Sequence, residues 1–198
     1  MSLRQRIHTW LLRHRLRIRS EILRPMHLQP NTLFLSARNA KILLGYFSLL
    51  DCHKVGFLND IQFSNFLKRV TDLSQRQIAK IFDLFDTDFS GRIDFDEFYF
   101  LMCVLIAHKD MIEKLFLFRH SRIIFQLMDV DGSGFLSDEE LHQWGFIFGL
   151  KRRNIRQVIR RYRILNSKEL WYEDFLFFTD DAVQQHQLHT KPQVPVEL

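Results

Sequence analysis

Cysteine, proline and glycine are scarce in this chain of 198 residues, at two, four and seven. Two cysteines exclude a disulfide framework, so a reducing compartment is the expectation. All four prolines (Pro25, Pro30, Pro192 and Pro195) lie outside residues 31–191, and a proline-free stretch of that length suits a helical body. Long apolar runs are missing too. The longest, Phe98 to Ala107, has about half the length a bilayer demands, which excludes a membrane span. Arginines interrupt the first nineteen residues and leave no apolar core for a secretory signal. Nucleophile elbows, phosphate-binding glycine loops and histidine-rich metal motifs are all absent, so no enzymatic class finds support. The expectation is a soluble, intracellular, non-enzymatic protein.

What is present is unevenly charged. The formal net charge is +5. Residues 1–24 carry Arg4, Arg6, Arg13, Arg15, Arg17, Arg19 and Arg24 against Glu21 alone. A second basic run, Lys151 to Arg163, holds no acid. The body between and around these two elements is acidic.

A repeat runs through that body, and it fixes the reading. Units starting at Asp51, Asp86, Asp129 and Arg163 share apolar residues at five positions. Four residues before each start stand Phe47, Phe82, Phe125 and Ile159, and at the eighth position Leu58, Ile93, Leu136 and Leu170. Ile78, Ile81, Phe82 and Phe85 follow the i, i+3, i+4, i+7 spacing of a helix face, and Ile155, Val158, Ile159 and Tyr162 repeat it. Each unit therefore reads as helix, loop, helix. Most of the twenty phenylalanines are expected in the core, with some left to line a groove for a partner helix.

The second loop, 86–97, offers oxygen donors at positions 1, 3, 5, 9 and 12: Asp86, Asp88, Ser90, Asp94 and Glu97. Gly91 allows the sharp turn and the Arg92 carbonyl supplies position 7. The third loop, 129–140, repeats this with Asp129, Asp131, Ser133, Ser137 and Glu140 around the Phe135 carbonyl. Alternation of this kind points every second side chain inward, as a hard cation with six to eight oxygen ligands requires. It is the pattern of an EF-hand calcium loop. Two calcium ions are expected as cofactors, with affinities of about 10⁻⁷ to 10⁻⁵ M. Loop two, with four acids against three, is expected to be the tighter site.

The outer loops depart from the pattern. Loop one, 51–62, keeps Asp51 and Gly56 but places His53, Val55 and Gln62 at positions 3, 5 and 12. Loop four, 163–174, begins at Arg163 and retains only Asp174. One carboxylate does not offset dehydration of a divalent ion. Both are expected to be structural halves of pairs, with Leu58 bonding across to Ile93 and Leu136 to Leu170. The fold class is thus all-α: two EF-hand pairs, each with a short β-bridge between its loops. The expected layout is a basic arm over 1–30, a first pair over 31–107, an inter-lobe helix over 108–118, a second pair over 119–180 and a tail over 181–198. Whether the inter-lobe segment is one continuous helix stays open.

The body resembles the EF-hand superfamily over residues 39–180. Outside the loops it resembles more particularly the EF-hand calcium-sensor subunits of the sperm CatSper channel. That resemblance rests on L-S-A-R-N-A-K at 35–41, V-T-D-L at 70–73, I-D-F-D-E-F-Y-F-L-M-C-V-L-I-A-H at 93–108 and F-R-H-S-R at 118–122. It implies a cytoplasmic, flagellar calcium sensor that clamps channel segments together with a small companion subunit.

Three functional readings follow: a sensor and adaptor within a larger assembly such as that channel, a calcium-binding regulatory subunit of an enzyme (phosphatase B-subunit-like) or an axonemal calcium-binding protein, and a calcium buffer. The first is preferred, since abundant Phe and Met favour a surface that opens. Arg152, Arg153, Arg156, Arg160 and Arg161 face outward on the entering helix of unit four and suit an acidic protein partner. Stacking aromatics are not interleaved there, which argues against nucleic acid. The N-terminal arm suits an anionic membrane surface or a partner; a mitochondrial transit segment is the alternative reading. His120, between Arg119 and Arg122, is either a surface histidine or a proton-sensitive link between lobes.

Overall fold

The computed structural model describes residues 21–144 and 169–180. Residues 1–20 of the basic arm, the arginines of 151–163 and the tail from 181 lie outside them. The chain divides between Met111 and Ile112 into two compact units. Among the described residues no helix is long and apolar enough to cross a membrane.

The first unit contains α1 (Ala37–Leu50), β1 (Phe57–Leu58), α2 (Asp60–Val70), α3 (Gln75–Phe85), β2 (Ile93–Asp94) and α4 (Phe95–Lys109). Side chains of Ser36, Asn59 and Asp94 accept the N–H groups of Asn39, Gln62 and Glu97 at the starts of α1, α2 and α4. Each bond satisfies a donor that the first helical turn leaves without a partner. Strands β1 and β2 pair antiparallel, Leu58 opposite Ile93 and Phe57 opposite Asp94, as the repeat predicts.

Around that bridge lies an aromatic core. Phe98 sits 5.3 Å from both Phe47 and Phe66, ring centre to ring centre, and Phe63 sits 5.4 Å from Phe82. From Leu101 to His108 every residue of α4 is buried. A helix enclosed on all sides needs no polar face, which is why this segment is the longest apolar run of the chain. Each large side chain fully buried there contributes about 1.5–3 kcal/mol.

The boundary expected at Pro30 is corrected by the structure. Leu23, Met26, Leu28, Leu33 and Leu35 are all buried, Leu28 bridges Leu35, and the Leu35 N–H donates to the Tyr99 hydroxyl at 3.2 Å. Residues 23–30, expected in the basic arm, thus pack together with 31–35 as part of the first unit. The segment 108–118 is likewise not one helix. Helix α4 continues through Lys109, and Met111 takes a left-handed φ of 62°, which a helix interior does not tolerate.

The second unit contains α5 (Glu113–Arg119), α6 (Ser121–Met128), β3 (Phe135–Leu136), α7 (Asp138–Trp144) and β4 (Leu170–Trp171); residues 172–180 are helical. Strands β3 and β4 pair antiparallel with Leu136 opposite Leu170, the second expected bridge. Phe125, Phe175 and Phe178 pack beside it. His120 joins α5 to α6 and is buried, its ring 4.6 Å from Phe116, so the reading of a surface histidine does not hold.

Candidate metal centres

Each complete loop starts where a helix stops. Helix α3 ends at Phe85 and α6 at Met128, so Asp86 and Asp129 stand at the point where the chain turns away. Asp86 Oδ1 accepts from the Ser90 N–H at 2.9 Å and Oδ2 from the Gly91 N–H at 2.9 Å. Asp129 does the same with Ser133 and Gly134, both at 2.9 Å. These bonds curl the loop around its first carboxylate. Gly91 and Gly134, at φ of 73° and 84°, take the left-handed conformation that closes the curl.

The carboxylates then converge. Asp86, Asp88 and Glu97 each bring a ligand oxygen within 4.8 Å of the others, and so do Asp129, Asp131 and Glu140. The Ser90 hydroxyl links Asp86 Oδ1 to the Arg92 carbonyl. Ser133 likewise links Asp129 Oδ1 to the Phe135 carbonyl. Four of the five side-chain positions expected in each loop, with the position-7 carbonyl, thus lie in one connected set. The ninth position serves another bond. Asp94 Oδ1 caps α4 through the Glu97 N–H at 2.9 Å, and Ser137 accepts from the Glu140 N–H and donates to Glu140 Oε2 at 2.7 Å.

Hydrogen bonds from Ser90, its hydroxyl foremost, hold the Asp88 carboxyl below its ordinary value, and Ser133 does the same for Asp131. Both groups are thereby kept as carboxylates. Hard, ionised oxygens packed this closely repel one another unless a cation sits among them. The donor set, all oxygen, fits calcium in kind.

Two further contributors are hard to see in the sequence because they act chiefly through the backbone N–H. The Thr87 N–H and hydroxyl both donate to Glu97 Oε1 at 2.8 Å, and the Val130 N–H donates to Glu140 Oε1 at 2.9 Å. These tie the twelfth residue to the second across each loop. A hydroxyl at position 2 is the only sequence signal of this tie, and only in loop two. Loop one shows the same curl, with Asp51 accepting from Val55 at 3.1 Å and Gly56 at 2.7 Å. Of loop four only residues 169–174 are described. Arg152, Arg153, Arg156, Arg160 and Arg161 lie outside the described residues.

Comparison with known proteins agrees with this geometry. The family model of an EF-hand domain pair matches residues 43–103, and that of a single EF hand matches residues 122–146. The type 2 B-subunit of calcineurin from Mus musculus is 30% identical over 159 residues, covering 76% of this chain and 81% of the relative. Cell division control protein 31 of Saccharomyces cerevisiae is 24% identical over 139 residues, 69% of this chain and 83% of the relative. Calcium-dependent protein kinase 34 of Arabidopsis thaliana is 32% identical over 110 residues, which are 55% of this chain but 20% of the kinase. Helix–loop–helix pairs, converging carboxylates and kinship point one way, and the chain belongs to the EF-hand family of calcium-binding proteins.

Proposed function

We propose that this chain is a two-site calcium sensor acting as the regulatory subunit of a larger assembly. One ion is held by Asp86, Asp88, Ser90, the Arg92 carbonyl, Asp94 and Glu97. The other is held by Asp129, Asp131, Ser133, the Phe135 carbonyl, Ser137 and Glu140. The observation that carries this is the paired convergence of three carboxylates on each loop within 4.8 Å. Glu97 and Glu140 each stand at the start of the exiting helix, so an ion drawn to them pulls on α4 or α7.

The assembly proposed is the cytoplasmic side of the flagellar CatSper channel, on the strength of the blocks at 35–41, 70–73, 93–108 and 118–122. There the protein would meet channel segments and a small companion subunit. The arginines of 151–163 suit, by their charge alone, an acidic surface of that assembly, and the arm suits an anionic membrane face. A second reading is a regulatory subunit of an enzyme. It is favoured by the match to 81% of the calcineurin relative.

Calorimetric titration of the full chain with calcium tests the first claim. Two sites of about micromolar affinity are expected, one lost in Glu97→Gln and the other in Glu140→Gln. The absence of binding heat and of any calcium-induced spectral change would refute it. Affinity capture from sperm with the full chain separates the partners: channel subunits support the first assembly, and an enzyme's catalytic chain supports the second.

A further inference from the structure

Loop one differs from loops two and three at its twelfth position, and the difference is one of hydrogen-bond polarity. Glu97 and Glu140 are acceptors only. Glu97 Oε1 takes the Thr87 donors and Oε2 takes the Asp94 N–H at 3.1 Å. Gln62 is the same length, but one of its terminal atoms is a donor. Its Oε1 keeps the acceptor role, taking the Asn59 N–H at 2.9 Å. Its Nε2 donates to the Leu50 carbonyl at 3.0 Å and lies 3.4 Å from Cys52 Sγ.

Leu50 is the last residue of α1, where carbonyls have no partner within the helix. Asn59 is the N-cap of α2 and receives the Gln62 N–H in return. A single side chain therefore ties the end of the entering helix to the start of the exiting one. A glutamate there would lack the donor, leaving the Leu50 carbonyl with the Cys52 N–H alone at 2.9 Å.

We infer that Gln62 is an ion-independent clamp: it holds the first helix–loop–helix in its curled form at every calcium level and, through the Leu58–Ile93 bridge, positions loop two for its ion. The second half rests on the reading of loop two as a calcium site. With loop one ordered beforehand, calcium binding at loop two has less chain to order, and its affinity rises accordingly. Gln62 is a positioning residue, remote from the proposed ligands. The glutamine at position 12 of loop one is in this sense a replacement of the metal by an amide group.

The test uses the full chain carrying Glu140→Gln, so that loop two alone reports calcium, with Gln62 intact, Gln62→Ala or Gln62→Glu. Amide exchange in chelator reads the clamp directly. The Val55 and Gly56 N–H groups should be protected with Gln62 intact and should lose about three- to tenfold of that protection in both variants. Calcium affinity at loop two should fall by a similar factor. Loop three, titrated in the Glu97→Gln background, should not respond. Gln62→Glu is the decisive variant, because it preserves size and the bond to Asn59 and exchanges the donor for a charged acceptor; Gln62→Ala, which adds no charge, separates loss of the donor from the new charge. Unchanged protection in Gln62→Glu overturns the clamp. Lost protection with unchanged loop-two affinity overturns the positioning role. A chain that binds no calcium but loses protection refutes the proposed function and the positioning role, and leaves the clamp standing.

Discussion

Loops two and three follow the same backbone course with different residues at positions 4 and 9. At position 4 both require a left-handed residue, Phe89 at φ of 56° and Gly132 at φ of 68°. Glycine takes that conformation freely, whereas for a bulky side chain it costs about 1–2 kcal/mol. At position 9 the advantage reverses, since loop two has the carboxylate of Asp94 and loop three only the hydroxyl of Ser137. The bridges differ too. Arg92 places its guanidinium 4.2 Å from the Phe57 ring in the first pair, while Phe135 meets Trp171 at 5.7 Å in the second. Charge and backbone strain are thus separate levers on one motif, and each loop has been given a different one.

The largest effect expected from breaking this comparison is common to both loops. Leu58 and Leu136 are each fully buried in their bridges, so Leu58→Ala and Leu136→Ala should each lower stability by about 2–5 kcal/mol. Urea unfolding in chelator checks this, and the two losses should be similar. Ser137→Asp acts on loop three alone. It removes the hydroxyl that donates to Glu140 Oε2 and sets a new carboxylate beside it. Calcium at loop three should tighten by up to about tenfold, while stability in chelator falls by about 1 kcal/mol; calorimetry and unfolding read the two changes.

Phe89→Gly isolates the other lever. It relieves the left-handed strain and should stabilise loop two by about 1 kcal/mol, with no change in loop three, as thermal unfolding would report. The smallest difference expected is in acid. Asp88 and Asp131 both have folded-state values below their ordinary 3.8. Their contribution is complete above that value and is lost as pH falls through the lowered one. Because serine supplies the same bonds in both loops, carboxyl chemical shifts followed by NMR should titrate together.

The parts of this architecture that are legible in the sequence are those written at fixed intervals. The eighth position of every unit is apolar, and that alone places both bridges with their registers. Ligand spacing likewise locates the two carboxylate groups. Residues 23–35 are not legible as core, because an irregular segment buries its leucines without a period, and Pro30 resembles a boundary. Gln62 is hidden for a different reason. Compared with a ligand template it is a missing carboxylate, and its role emerges only when the Leu50 carbonyl is found beside its amide. Asp51 shows the same dependence on place. Burial pushes its carboxyl up, but the N–H groups of Gly56, Val55 and Lys54 outweigh that and leave it lowered.

The two thiols of the first unit occupy opposite chemical worlds. Cys103 is buried in α4, and burial pushes its thiol up to about 12, so it stays protonated and out of reach of alkylating reagents. Cys52 is exposed at the second position of loop one, beside the Gln62 amide. A maleimide dye added to the unmodified chain would therefore select Cys52 over Cys103 and place a fluorophore on loop one without any engineering, ready to follow its motion in real time.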